Sequence, residues 1–203
     1  MISNFYFKIP RRLRIFIIFI LVVLAAYLIA RIFFVEFKTV PNDFLRARQE
    51  ASLIAKDIVG LSNESAGNLD KIYEFDKDGN YTEALNLLAS ELERNRQARE
   101  KAIKLSAQLE KMARAVPEIS PASASQSAIQ AISSETALIS HLIAYNDYLF
   151  QLLEVLRSKF LGKTKNSSER ISELINKINE EVQAINELDR KFNEIMEGFD
   201  EQF

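Results

Sequence analysis

The segment RRLRIFIIFILVVLAAYLIARIFFVEFK constrains this chain more than any other, because residues Ile15 to Ala30 carry no charge. With Arg31 snorkelling toward a headgroup, the apolar stretch runs on to Val35, close to the roughly 20 residues that a bilayer core requires. A buried helix of a soluble core is rarely so uniformly apolar beside a polybasic flank. A cleaved signal peptide has a shorter apolar run and a small-x-small site, whereas the residues before a cut at Ala30 would be Leu28 and Ile29. An uncleaved single transmembrane anchor is therefore expected over residues 15–35, with the lipid bilayer as its partner. Lys8, Arg11, Arg12 and Arg14 crowd the N-terminal flank, while Arg31 and Lys38 are nearly cancelled by Glu36 and Asp43 on the other side. This bias makes residues 1–14 a short basic cytoplasmic tail and 36–41 a juxtamembrane linker, and it places 42–203 on the extracytoplasmic side of the cell membrane.

Beyond the anchor the pattern becomes periodic, and composition narrows what it can build. Five Gly and four Pro among 203 residues favour long uninterrupted helices over many turns. Phe44, Ala47, Ala51, Ile54, Ile58, Leu61, Ile72 and Phe75 share one helical face, giving a first helix that starts near Asn42 as its cap. Gly60 and Gly67 each cost a helix about 1 kcal/mol relative to Ala, so continuity and a break there are both open. A second helix spans Tyr81 to about Ala115, where Pro117 stops it. A third begins after PEISPASASQ with Pro121 suited to its first position, and ends at Gly162, a natural C-terminal cap. In the fourth, Ile171, Ile178, Ile185, Phe192 and Phe199 recur every seven residues, with Leu174, Leu188 and Ile195 at companion positions. Short connections make neighbours antiparallel. The expected fold is all-α: one transmembrane helix followed by an elongated, coiled-coil-like antiparallel four-helix bundle.

The stretch EFDKDGNYTEAL places Asp76, Asp78 and Asn80 at the alternating positions of a calcium loop. Its sixth, ninth and twelfth positions hold Tyr81, Ala84 and Leu87, where that loop needs Gly, a further ligand and a bidentate Glu. It matches instead a hairpin with Asp-Gly turn chemistry, Asn80 as N-cap and Glu83 reaching back; NSSE at 166–169 repeats the arrangement. GNYTEALNLLASEL resembles the second helix of a tetratricopeptide repeat over 14 residues, but it occurs once. Such arrays need about three repeats to bury their faces, so turn and packing chemistry explain the match.

Function is less legible. With no Cys and a single His, thiol nucleophiles, Cys-ligated zinc and His-rich metal sites are excluded. A net charge of -2 supplies no basic field for nucleic acid. The block ERNRQAREK, continued on the apolar stripe, puts Asn95 and Arg99 near the core. An antiparallel bundle could bring them level with His141 and Asn146 as an anion pocket; a solvated face with Arg96 and Glu100 paired is the favoured alternative. His141 has no Ser, Cys or carboxylate pair near it in sequence, so no enzyme, cofactor or metal is expected. The third helix is too apolar for one buried face. Beyond the core stripe Ile132, Ile139, Leu142, Leu149, Leu153, Leu156 and Phe160 it carries Leu138, Tyr145 and Leu152 on one flank and Ile143 and Phe150 on the other. Tyr148 and Val155 lie nearly opposite the core. Tyr148, Phe150 and Val155 are therefore the expected interface for a second copy or another envelope protein. These observations point to a membrane-anchored, non-catalytic interaction or scaffold protein of the cell envelope. The alternative is a small-ligand-sensing bundle acting through a partner, which resembles the extracytoplasmic domains of bacterial chemoreceptors in architecture only.

Overall fold

The computed structural model describes residues 38–164 and 167–203, together with Val23. The tail 1–14, the expected anchor 15–35 and its flank of Lys8, Arg11, Arg12 and Arg14 lie outside the described residues. Among the described residues no helix is long and apolar enough to cross a membrane. The described chain is all-helical: α1 (Asn42–Lys77), α2 (Tyr81–Ala115), a single 3-10 turn (Val116–Glu118), α3 (Ala122–Phe160) and α4 (Ser168–Asp200).

The C-terminal ends of α1 and α3 close tightly because each is followed by a glycine in the left-handed region. Gly79 (φ 72°) and Gly162 (φ 70°) sit just past the ends of α1 and α3. Around Gly79, the amides of Gly79 and Asn80 donate to the carbonyls of Asp76 and Phe75 at 3.3 and 2.8 Å. Around Gly162, the amides of Gly162 and Lys163 donate to Lys159 and Ser158, each at 2.9 Å. Both are Schellman closures, which satisfy otherwise orphaned carbonyls. The first one corrects the expected capping box. The Asn80 amide is committed to Phe75, so Glu83 has no donor to reach, and the Asn80 side chain makes no cap bond. At the other starts the caps also shift: Pro41, not Asn42, precedes α1, Pro121 caps α3 rather than opening it, and Ser167 precedes α4.

α1 runs unbroken through Gly60 and Gly67. Ile58, Ser65 and Ile72 are buried on either side of the two glycines, and nothing approaches within 4 Å of where a Cβ would stand at either one. Packing along the buried face therefore holds a helix that propensity alone would weaken.

The helices form an antiparallel bundle. Asp57 meets Lys101 at 2.6 Å and Glu50 meets Lys111 at 3.7 Å between α1 and α2. Tyr81 stacks on Phe160 at 5.6 Å between α2 and α3, and Arg170 reaches Gln151 at 2.7 Å between α4 and α3. Paired backbone bonds of 2.8 and 3.0 Å between Thr39 and Ser120 tie the entry of α1 to the α2–α3 link. We call that end lower and the Gly79–Gly162 end upper. α1 packs along α2, α4 along α3, and α2 against α3, but the backbones of α1 and α4 stay apart over nearly all of their length. They are joined at the lower end, where Phe44 meets Phe199 at 5.5 Å and Arg48 grips both Asp200 oxygens at 2.6 and 2.7 Å.

Buried side chains fall into two apolar clusters. The lower centres on Phe44, Leu105, Met112, Ile139 and Phe199; the upper centres on Ile72, Leu88, Leu153 and Leu174. Each fully buried large side chain contributes about 1.5–3 kcal/mol.

Candidate functional site

The clusters are separated by a level of buried polar groups that the heptad step itself positions. On α2 the inward residues Ala84, Leu88, Glu91, Asn95, Ala98, Ala102 and Leu105 alternate steps of four and three, so Glu91 and Asn95 occupy core positions. Glu91 is fully buried and paired with Arg94, and it accepts a 2.6 Å bond from Asn68 Nδ2 of α1. Arg94 also reaches Glu64 at 3.1 Å. Asn95 Nδ2 donates to the backbone and side-chain oxygens of Asn146 at 3.0 and 3.1 Å, and Asn146 Nδ2 donates to the Leu142 carbonyl at 2.7 Å. Every buried group in this level has a partner, as a polar layer in low dielectric requires.

Of the four residues expected to form an anion pocket, the fold brings together two. Asn95 and Asn146 meet in the core. Arg99 lies on the surface, 2.8 Å from Asp147, and His141 Nδ1 is 2.7 Å from Glu181 on α4. Among the described residues no free cation faces the asparagine pair, because Arg99 pairs with Asp147 on the surface and His141 pairs with Glu181 of α4.

The expected interface on α3 is likewise divided. Tyr148 and Val155 are half-buried against the upper cluster, with Lys177 of α4 lying 5.4 Å from the Tyr148 ring centre. Phe150 alone is exposed. The reason is that α3 is an inner helix with α2 on one side and α4 on the other, which also buries Leu138 and Leu152.

Of the apolar side chains exposed elsewhere on the bundle, four line the seam where α1 and α4 do not close, while others such as Leu53, Ile103 and Ile129 are scattered over the outer faces. From Ser52, heptad steps on α1 lead to Val59, Ala66 and Tyr73; from Asp189, the same steps back along α4 lead to Val182 and Ile175. Tyr73 is 66% exposed, Ile175 43% and Val182 38%, and Val59 is exposed as well. Tyr73 and Ile175 are equally far along their antiparallel helices from the Arg48–Asp200 pair, so they face each other across the open seam.

Nearer the lower end the seam deepens into a cleft of about 220 Å³. Arg48, Ala51, Ser52 and Ala55 of α1 form one wall, and Asp189, Phe192, Asn193 and Met196 of α4 the other. Leu109, Met112 and Glu135 lie between. Glu135 is 7% exposed, and among the described residues nothing hydrogen-bonds its carboxyl. Burial, reinforced by the charge of Asp189, pushes that carboxyl up to about 7. Arg48 is committed to Asp200, whose carboxyl it holds below its ordinary range. Glu135 escapes notice as a charge, yet it stands on the core step Ala128, Ala131, Glu135, Leu138, Leu142; an acid in that register is the signal that finds it. Comparison of the chain with protein-family models, curated proteins and solved structures finds no match.

Proposed function

We propose that this chain is a membrane-tethered interaction protein of the cell envelope, held in the bilayer by residues 15–35, with Lys8, Arg11, Arg12 and Arg14 on the cytoplasmic side and residues 42–203 on the other. Its partner is a second copy of itself. The observation that carries this reading is the open α1–α4 seam, with Val59, Tyr73, Ile175 and Val182 on its lips. Large exposed apolar side chains aligned along one groove mark an interface. α1 and α4 run in opposite directions, so α1 of one copy can lie antiparallel to α4 of the other about a two-fold axis parallel to the bundle. Residue 38 of both copies then enters at the same end, as two chains tethered to one membrane require.

The natural chain has no cysteine, which makes the test clean. Tyr73→Cys and Ile175→Cys chains, each carrying one thiol, are co-expressed with distinguishable tags and oxidised in membranes. A mixed disulfide of twice the chain mass is expected. Only monomers would refute the second-copy reading and leave another envelope protein to be sought. For the anchor, protease added to spheroplasts is expected to remove the bundle and leave a small membrane-embedded fragment; full protection would reverse the orientation.

The reading of a small-ligand sensor acting through a partner has one observation in its favour, the cleft around Glu135.

A further inference from the structure

A cleft of about 220 Å³ is smaller than the roughly 300 Å³ at which pockets for drug-sized ligands begin. It is still several times the ~30 Å³ share of one water. Its chemistry is lopsided. The apolar surface comes from Leu109, Met112, Phe192 and Met196, and two carboxyls, Glu135 on α3 and Asp189 on α4, line it without a basic partner among the described residues. The one cation on the wall, Arg48, has both its terminal nitrogens bonded to Asp200. Glu135 is buried as a residue, yet its carboxyl oxygens are not sealed off and open into the cleft; desolvating a carboxyl without a partner is costly, and α3 carries this one at a position where its register calls for an aliphatic side chain.

We propose that this cleft is a binding site for a small organic cation, an amine with a short apolar body, whose charge is taken by Glu135 and Asp189. The ammonium supplies the Glu135 carboxyl with the hydrogen bonds it lacks, and Phe192 places an aromatic ring on the same wall. Leu109, Met112 and Met196 cover the alkyl part. An inorganic cation would leave these apolar walls unfilled, and a neutral molecule would leave Glu135 and Asp189, the latter bonded only to Asn193 at 3.3 Å, without a counter-charge. The site spans α1 and α4 just above the Arg48–Asp200 pair that joins them, so an occupant extends that junction along the seam.

Titration supports the same geometry. The groups that face Glu135 are Asp189 from α4 and Arg48 from α1; α2 presents only Leu109 and Met112. With its carboxyl pushed up to about 7, Glu135 must lose a proton before it can hold a cation, so binding tightens as pH rises through that value.

The experiment uses the full chain in detergent micelles, titrated calorimetrically with n-butylamine, with 1-butanol as its neutral match and magnesium as an inorganic cation. Saturable binding of butylamine alone is expected, about tenfold tighter at about pH 8 than at about pH 6. Glu135→Gln, which keeps the side-chain shape, is expected to abolish it, and Asp189→Asn to weaken it several-fold. Equal response to butanol, retention of binding in Glu135→Gln, or no saturable heat at millimolar butylamine each overturns the proposal. If Glu135→Gln fails to fold, the pH dependence of the wild-type protein and the Asp189→Asn variant decide the matter. This outcome is separate from the dimer test, since the cleft lies below the level of Tyr73 and Ile175.

Discussion

Glu135 makes the bundle weaker at the pH where it would be useful. Its folded carboxyl is pushed up to about 7 from an ordinary 4.5, so between those values the folded chain holds a proton that the unfolded chain releases. The stability attached to that proton is complete below about pH 4.5 and is lost as pH rises through about 7, by on the order of 3 kcal/mol. Denaturation of wild type and Glu135→Gln across this range is expected to show the variant increasingly the more stable of the two above pH 5. A difference independent of pH would contradict the assignment. Asn95 and Asn146 behave differently, because they satisfy each other. Asn95→Leu removes the donor to Asn146 Oδ1 and is expected to cost about 1–3 kcal/mol; adding Asn146→Leu should return most of that loss. A double-mutant cycle in urea measures both. Continuing the apolar stripe of α2 brings Asn95 near the core, although a solvated face is the reading the charged block favours, and Asn146 is placed only by its position near the middle of α3. Their surroundings were not legible, since the sequence does not say which way Arg99 and His141 turn.

The helices themselves were nearly all legible, and the reason is that heptad steps repeat often enough to average out local exceptions. Tyr81 and Ala115 bound α2 as the spacing and Pro117 predict. Caps were less legible, because they depend on single hydrogen bonds for which neighbouring groups compete, as the Asn80 amide shows. The glycines separate the two kinds of information. Gly60 and Gly67 lie in mid-helix with open space at the Cβ position, so Gly60→Ala and Gly67→Ala are each expected to stabilise the chain by about 0.5–1 kcal/mol. Gly79 and Gly162 hold positive φ in the two Schellman closures, and alanine at either is expected to destabilise by about 1–2 kcal/mol. Thermal melts of the four variants check the signs.

At the scale of the molecule, the periodicity says that each helix has an apolar face but not which neighbour covers it. That is why the excess apolar surface of α3 suggests an interface at Tyr148 and Val155, when its position between α2 and α4 already covers both. The same ambiguity conceals the opposite case in α4. Its seam reads as a complete coiled coil, yet only Leu174, Met196 and Phe199 are buried, while Ile171, Ile178, Ile185, Leu188, Phe192 and Ile195 remain partly covered. α2 and α3 are thus inner helices and α1 and α4 outer ones, pinned together at Phe44, Phe199 and the Arg48–Asp200 pair. Local opening free energies follow buried contacts, so protection should fall along α1 and α4 with distance from that pin. Amide hydrogen exchange of the full chain is expected to be slowest in α2 and α3 around Leu105, Met112 and Ile139. It should be fastest, among helical segments away from the ends, at residues 59–73 of α1 and 175–182 of α4. Butylamine at saturation should slow exchange near Ser52 and Asp189, and dimerisation should slow it near Tyr73 and Ile175. If α1 and α4 exchange as slowly as α2 and α3 in a monomeric, ligand-free preparation, the seam is closed in solution and both proposed occupants lose their place.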